Sequence, residues 1–203
     1  MSLATYADLQ TQITNWLGGR TDLTTFYPDW ITAFEAYAAR KLRVRPMETT
    51  ATLTPVLGVV ALPTGYLGWR RLTWTGYPRR EIPYVGPSYF SALFPTQPTD
   101  SPAIFTIEGS NIKTMPIDSN NTQFELLYYA KNAALSSSLN WLYTNFPDAY
   151  LWGSLLEAMI FTRDDDGAVL YKARRDEVMN EVSMLNFREQ GANMAPRMLN
   201  PTP

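Results

Sequence analysis

The sequence predicts an α+β protein: a four-helix core, two helices N-terminal and two C-terminal, with a central antiparallel β-rich insertion and an extended C-terminal arm. Three observations carry this. Apolar residues recur at helical spacing over 4–44 and again over 146–188, they alternate with period two between 47 and 132, and beyond residue 190 they have no period. The divisions are therefore one domain over 1–189, with its insertion at 47–132, and an arm at 190–203.

In the first helix, 4–18, Tyr6, Leu9, Ile13, Trp16 and Leu17 share a face, Thr5 with Asp8 has the spacing of a capping box, and Gly18–Gly19 stops it. The second, 24–44, carries Phe26, Trp30, Phe34 and Tyr37 on one stripe and Ile31, Ala38 and Leu42 on another, so it touches neighbours on two sides. Pro28 and Asp29 suit its opening turns; Arg40, Lys41, Arg43 and Arg45 suit the negative end of its dipole before Pro46. From Met47 the run METTATLT alternates, the residues after Pro55 make a turn, and VVALP resumes an extended run, which reads as a hairpin. WRRLTWT and REIPYV read as further strands, and PSYFSALF as a short helix between Pro87 and Pro95. AIFTIEG, SNIKTMPI and TQFELLYYA, separated by Gly109–Ser110–Asn111 and Asn120–Asn121, read as an antiparallel meander. Pro147 and Asp148 open the third long helix, 146–163, with Leu151, Leu155 and Met159 on its stripe; DDDG at 164–167 breaks it. The last helix, 168–188, aligns Tyr171, Val178, Val182 and Leu185.

Composition narrows the function. The 203 residues are 45% hydrophobic and 18% charged, enough for one proper core. The 6 Trp, 12 Tyr and 9 Phe exceed what one core readily takes up, which leaves some of them for a partner surface. A net charge of −2 lacks the basic excess of a protein that grips phosphate backbones. The absence of Cys and His removes disulfides, thiolate nucleophiles, imidazole bases and the commonest zinc ligands, and no cofactor motif such as GxxxxGK[ST], GxGxxG or GxSxG is present. The start carries no signal peptide pattern and no apolar run is long enough to span a membrane.

Carboxylates are the remaining chemistry. Glu157 on an apolar helix face, or the run Asp164–Asp166, offers the group a glycan hydrolase needs, but neither has the spacing of a site; a partly buried helix-face charge and a solvated helix break are the simpler readings. The arginine clusters, Arg40 with Arg43 and Arg45, Arg70–Arg71, Arg79–Arg80 and Arg174–Arg175, suit salt bridges between neighbouring copies better than contact with passing DNA.

Taken in order, YADLQTQITNWL, FYPDWITAFEAYAARKLRVRPMETTATLT, LPTGYLGWRRLTW, FTIEGSNIKTMPI, FELLYYAK, FPDAYLWGSLLEAMIF and DDDGAVLYKARRDEVMNEV resemble the head-to-tail adaptor family of tailed phages, above all short-tailed ones, over roughly residues 4–188. None of these segments is a catalytic signature. The resemblance implies a homo-oligomeric ring of about twelve copies beneath the portal protein. The ring seats a tail protein, nozzle or tube, and genomic DNA passes through its lumen without sequence-specific binding. No membrane and no cofactor take part, and the place of action is the virion neck, reached from the host cytoplasm during assembly. The arm, 190–203, would then reach the portal, with Met194, Arg197, Met198 and Leu199 as contacts on chemical grounds. Arg40, Arg43, Arg70, Arg71, Arg174 and Arg175 become candidates for the subunit interface or channel, and Val56, Leu57 and Val59, at an exposed hairpin tip, for the tail contact. The rival readings are a virion-borne cell-wall glycan hydrolase using Asp or Glu, and a generic DNA-binding protein.

Overall fold

The computed structural model describes residues 3–93, 96 and 98–191, with side chains as far as Met184. Its elements in chain order are α1 (Tyr6–Trp16), α2 (Tyr27–Lys41), β1 (Glu48–Leu53), β2 (Val59–Ala61), β3 (Tyr66–Trp74), β4 (Arg80–Ile82), α3 (Pro87–Leu93), β5 (Ile104–Glu108), β6 (Asn111–Met115), β7 (Phe124–Ala130), α4 (Trp141–Asn145), α5 (Pro147–Thr162) and α6 (Asp165–Gly191). The architecture is α+β. The described residues up to Pro46 and from Asn132 onward form one compact unit, and Met47–Lys131 form a second.

The first unit is helical. Thr5 caps α1: its hydroxyl accepts from the Asp8 N–H at 3.1 Å while the Asp8 carboxylate accepts from the Thr5 N–H at 3.0 Å, and Leu9 and Ile13 are buried. In α2, Tyr27, Trp30, Ile31, Phe34 and Ala38 turn inward. That helix stops at Lys41, short of the expected residue 44, because Leu42 already adopts an extended backbone. At the centre lies α5, packed by α1, α2, α4 and α6 and buried on all sides from Ala149 to Leu151, from Gly153 to Leu156 and at Ala158 and Met159. Gly153 permits the closest approach, since a Cβ there would sit 2.1 Å from Cδ2 of Phe34. The short helix α4 joins the four read from the sequence; its start is fixed by Asn140, whose side chain accepts from the Tyr143 N–H at 3.0 Å.

The break between the last two helices is shorter than the DDDG run suggested. Arg163 takes the left-handed conformation that ends α5, and Asp164 caps α6 by accepting from the Gly167 N–H at 3.0 Å. Asp165, Asp166 and Gly167 therefore belong to α6, where two aspartates in the first turn complement the positive end of the helix dipole. Tyr171, Val178, Met179 and Val182 form its inward face.

The second unit is a sandwich of two antiparallel sheets, ordered β1-β7-β3-β4 and β2-β6-β5. Leu72, Trp74, Ile82, Phe124, Leu126 and Tyr128 from one sheet meet Phe105 and Ile112 from the other in one core. Two sequence expectations change here. The residues on either side of Pro55 do not pair as hairpin arms: β1 lies against β7, with Leu53 opposite Phe124, and β2 lies against β6, with Val60 opposite Ile112. The expected meander is also cut, because β5 and β6 form a hairpin across Gly109 but β7 departs to sit between β1 and β3. Alternation reports which side chains face a core. It does not report which strand lies alongside.

Candidate functional site

The tip after Pro55 is a two-residue turn. Val56 and Val59 exchange both backbone hydrogen bonds, at 2.8 and 3.0 Å, and Leu57 and Gly58 between them have positive φ of 52° and 76°. Two bonds hold this turn against β6, since the Gly58 carbonyl accepts from the Thr114 N–H at 2.8 Å and from the Thr114 hydroxyl at 3.2 Å. A Cβ on Gly58 would come within 2.9 Å of the Thr114 carbonyl oxygen, so glycine is required there. Val56, Leu57 and Val59 are 68%, 72% and 40% exposed, which makes the tip apolar and open to solvent.

The arginine candidates separate by unit. In the β unit, Arg70 pairs with Glu48 at 3.0 Å and lies over the Tyr129 ring, while Arg71 and Arg79 share Glu125 at 3.9 and 2.9 Å. The register puts Glu48, Glu125 and Arg71 on the outer face of the larger sheet, so the charges there are largely neutralised within the subunit. Arg80 donates to the Pro102 carbonyl at 2.8 Å and lies over Trp74. In the helical unit, Arg175 is held by Asp176 at 2.7 Å and stacks 4.0 Å from the Tyr37 ring centre, and Arg43 donates to the Ala39 carbonyl at 2.7 Å. Arg40 and Arg174 are exposed, on α2 and α6.

The carboxylates singled out in the sequence line neither of the two cavities described below. Glu157 is half-buried on α5, Asp164 is committed to its cap, and Asp165 and Asp166 are exposed in the first turn of α6. A polar cavity of about 280 Å³ in the helical unit is lined by Tyr37, Lys41, Asp176, Met179, Asn180 and Ser183, and one of about 350 Å³ in the β unit by Arg71, Thr73, Arg79, Arg80 and Glu81. Each contains one carboxylate, where the two-carboxylate mechanism needs two. Among the described residues no cluster of acidic residues has the arrangement of a metal site. No described helix is long and apolar enough to cross a membrane.

Two polar networks were not legible in the sequence. In the β unit, Asp118 accepts from Trp74 Nε1 at 3.2 Å and from the backbone N–H groups of Asn120 and Thr122 at 2.8 and 3.1 Å. Burial pushes its pKa up, but the hydrogen bonds from Thr122, Asn120 and Trp74 outweigh this and hold the carboxyl below its ordinary value. In the helical unit, Asn140 Nδ2 donates to the Tyr150 hydroxyl at 2.7 Å and to the Ala133 carbonyl at 2.9 Å, and the Tyr143 hydroxyl donates to the Thr5 carbonyl at 2.7 Å. Burial, reinforced by the Asp8 charge, pushes Tyr143 up to about 12, and burial likewise raises Tyr150. The only sequence signal for either network was Asn140 ahead of an apolar run, a helix-start residue.

The aromatics divide between core and surface. Trp30, Trp74, Tyr27, Tyr143 and Tyr150 are core residues, whereas Tyr77, Tyr89 and Phe161 are 98%, 59% and 49% exposed. The portal-contact candidates Met194, Arg197, Met198 and Leu199 lie outside the described residues.

An apolar turn fixed to a rigid sheet, open aromatic rings and internally paired charges are features of a protein that acts by contact with other proteins. The profile of the SU10 adaptor protein family matches residues 4–200, and the chain belongs to this family of phage head-to-tail adaptors, whose role is structural rather than catalytic. Membership places it in a phage virion and implies contact with portal and tail proteins. The curated proteins contain no match to the chain.

Proposed function

We propose that the chain forms a homo-oligomeric ring of about twelve copies between the portal and the tail, continuing the channel through which genomic DNA passes. The observation that carries this reading is the family match along residues 4–200. The mechanism is geometric: the ring converts the underside of the portal into a seat for the tail protein, nozzle or tube, and helps to retain packaged DNA. Assembly occurs in the host cytoplasm, and the finished ring occupies the virion neck. Two features support a lumen that DNA slides through without being gripped, the net charge of −2 and the internal pairing of Arg70, Arg71, Arg79 and Arg175. Arg40 and Arg174 reach acidic groups of a neighbouring copy, and the 190–203 arm anchors on the portal through Met194, Arg197, Met198 and Leu199.

Deleting 190–203 tests the arm. No residue of the periodic helical stripes is lost, so the truncated chain melts as the full chain does but no longer co-sediments with purified portal rings. A truncated chain that still co-sediments contradicts the assignment of portal binding to the arm.

A further inference from the structure

We propose that the cavity of the β unit lined by Arg71, Thr73, Arg79, Arg80 and Glu81 is a seat for an acidic peptide. It takes the carboxylate of one aspartate or glutamate together with a backbone N–H beside it. The proposal stands apart from the adaptor reading and does not rest on it.

The pairing of charges on the larger sheet is incomplete at this place. Arg79 donates to Glu125 Oε1 at 2.9 Å, but Arg71 stands 3.9 Å from the same oxygen, beyond hydrogen-bond length. Among the described residues the Arg71 guanidinium makes no hydrogen bond. The register sets Thr73 opposite both Glu81 of β4 and Glu125 of β7, on the same face as Arg71 two residues earlier. Thr73 is only 7% exposed, yet its hydroxyl has no hydrogen-bond partner among the described residues. A side chain so deeply covered ordinarily pairs its polar atom. Glu81 also makes no ion pair or side-chain hydrogen bond among them. Arg80, by contrast, is already engaged by the Pro102 carbonyl and the Trp74 ring.

The space of about 350 Å³ therefore sets unengaged donors, on Arg71 and Thr73, beside an unengaged acceptor, on Glu81. Three arginines line it against two carboxylates, Glu81 in the lining and Glu125 next to it, so one positive charge is left over. That balance suits a single anionic group and not a run of phosphates. A phosphodiester brings oxygens for Arg71 and Thr73 but no N–H for Glu81, which repels it. An acidic residue within a peptide brings both: its carboxylate matches the planar guanidinium fork, and its backbone N–H donates to Glu81. Arg80 and Glu81 belong to β4, the edge strand of the larger sheet, which leaves the seat open from the side.

The test titrates the purified full chain with three probes, aspartate blocked as its N-acetyl methylamide, acetate and dimethyl phosphate, with ionic strength held constant by chloride. Binding is read from the amide NMR shifts of residues 71–81. The blocked aspartate is expected to saturate these shifts and to bind about threefold or more tightly than acetate, with dimethyl phosphate the weakest of the three. Arg71→Gln and Thr73→Val each weaken blocked aspartate and acetate alike by about threefold or more. Glu81→Ala weakens the blocked aspartate and leaves acetate no weaker, a split that a merely structural residue would not produce. Arg71 is half-exposed, so Arg71→Gln keeps the test decisive even where Thr73→Val fails to fold. The proposal is overturned by a blocked aspartate that does not saturate, by dimethyl phosphate binding as tightly, which would make the seat a phosphate site, or by acetate binding as tightly, which would make it a site for free small acids. Glu81→Ala that leaves the blocked aspartate unaffected overturns it as well.

Discussion

The helical unit and the β unit are held together by different means. In the helical unit one helix, α5, is enclosed by its neighbours, and the fit at Gly153 against Phe34 leaves no room for a methyl group. In the β unit, the core residue Trp74 is tied by its indole N–H to Asp118, a carboxylate that also gathers two backbone amides. Both units have a tight glycine, since a Cβ on Gly76 of the β unit would also fall 2.2 Å from the Trp74 ring, so the contrast lies in how each core is built: one enclosed helix in the first, two facing sheets tied at Asp118 in the second.

The largest expected effect follows from the fit at Gly153. Gly153→Val forces α2 and α5 apart and costs about 3 kcal/mol or more, read as a lowered denaturation midpoint. A loss below 1 kcal/mol, by the same principle, would show that Phe34 can swing aside and that α5 is not the tight element described.

Smaller effects sharpen the contrast through pH. Tyr143 and Tyr150 have raised pKa values, so the stability they confer is fully present below the ordinary tyrosine value of about 10 and is lost as pH rises through it toward the folded-state values. Asp118 has a lowered pKa, so its contribution is present above the ordinary aspartate value of about 3.9 and is lost as pH falls below it. Chemical denaturation across pH should therefore show no change from these groups between about 5 and 9, with separate alkaline and acid losses. Asp118→Asn at neutral pH costs about 1–2 kcal/mol through weakened hydrogen bonds and flattens the acid limb alone. An unchanged acid limb would move the acid-sensitive group elsewhere.

Thr5→Ala is the mildest change. It removes the Thr5 hydroxyl's half of the capping box of α1, leaves the residue-5 N–H donating to the Asp8 carboxylate, and costs about 1 kcal/mol. Denaturant titration resolves it, and a neutral result would mean that water caps the helix equally well.

How much could be read from the sequence follows the same division. The start of α1 at Thr5, the opening of α5 at Pro147–Asp148 and the inward face of α6 at Tyr171, Val178 and Val182 depend on residues within one or two turns of each other. The turn after Pro55 was legible for the same reason, although the left-handed backbone at Leu57 was not, because leucine gives no signal for it. Strand partners were misread because β1 and β7 are joined only by contacts between residues such as Leu53 and Phe124, far apart in the chain. The Trp74–Asp118 hydrogen bond joins residues 44 apart and leaves no pattern either. Asp164 to Gly167 were legible as an interruption but not as a cap, since a run of aspartates can end one helix or begin the next.

Mixing the purified protein with purified portal rings and weighing the product by native mass spectrometry decides whether this chain connects portal to tail. A discrete complex carrying one adaptor per portal subunit is the expected product. Portal rings that stay bare at concentrations where both partners are folded would contradict it.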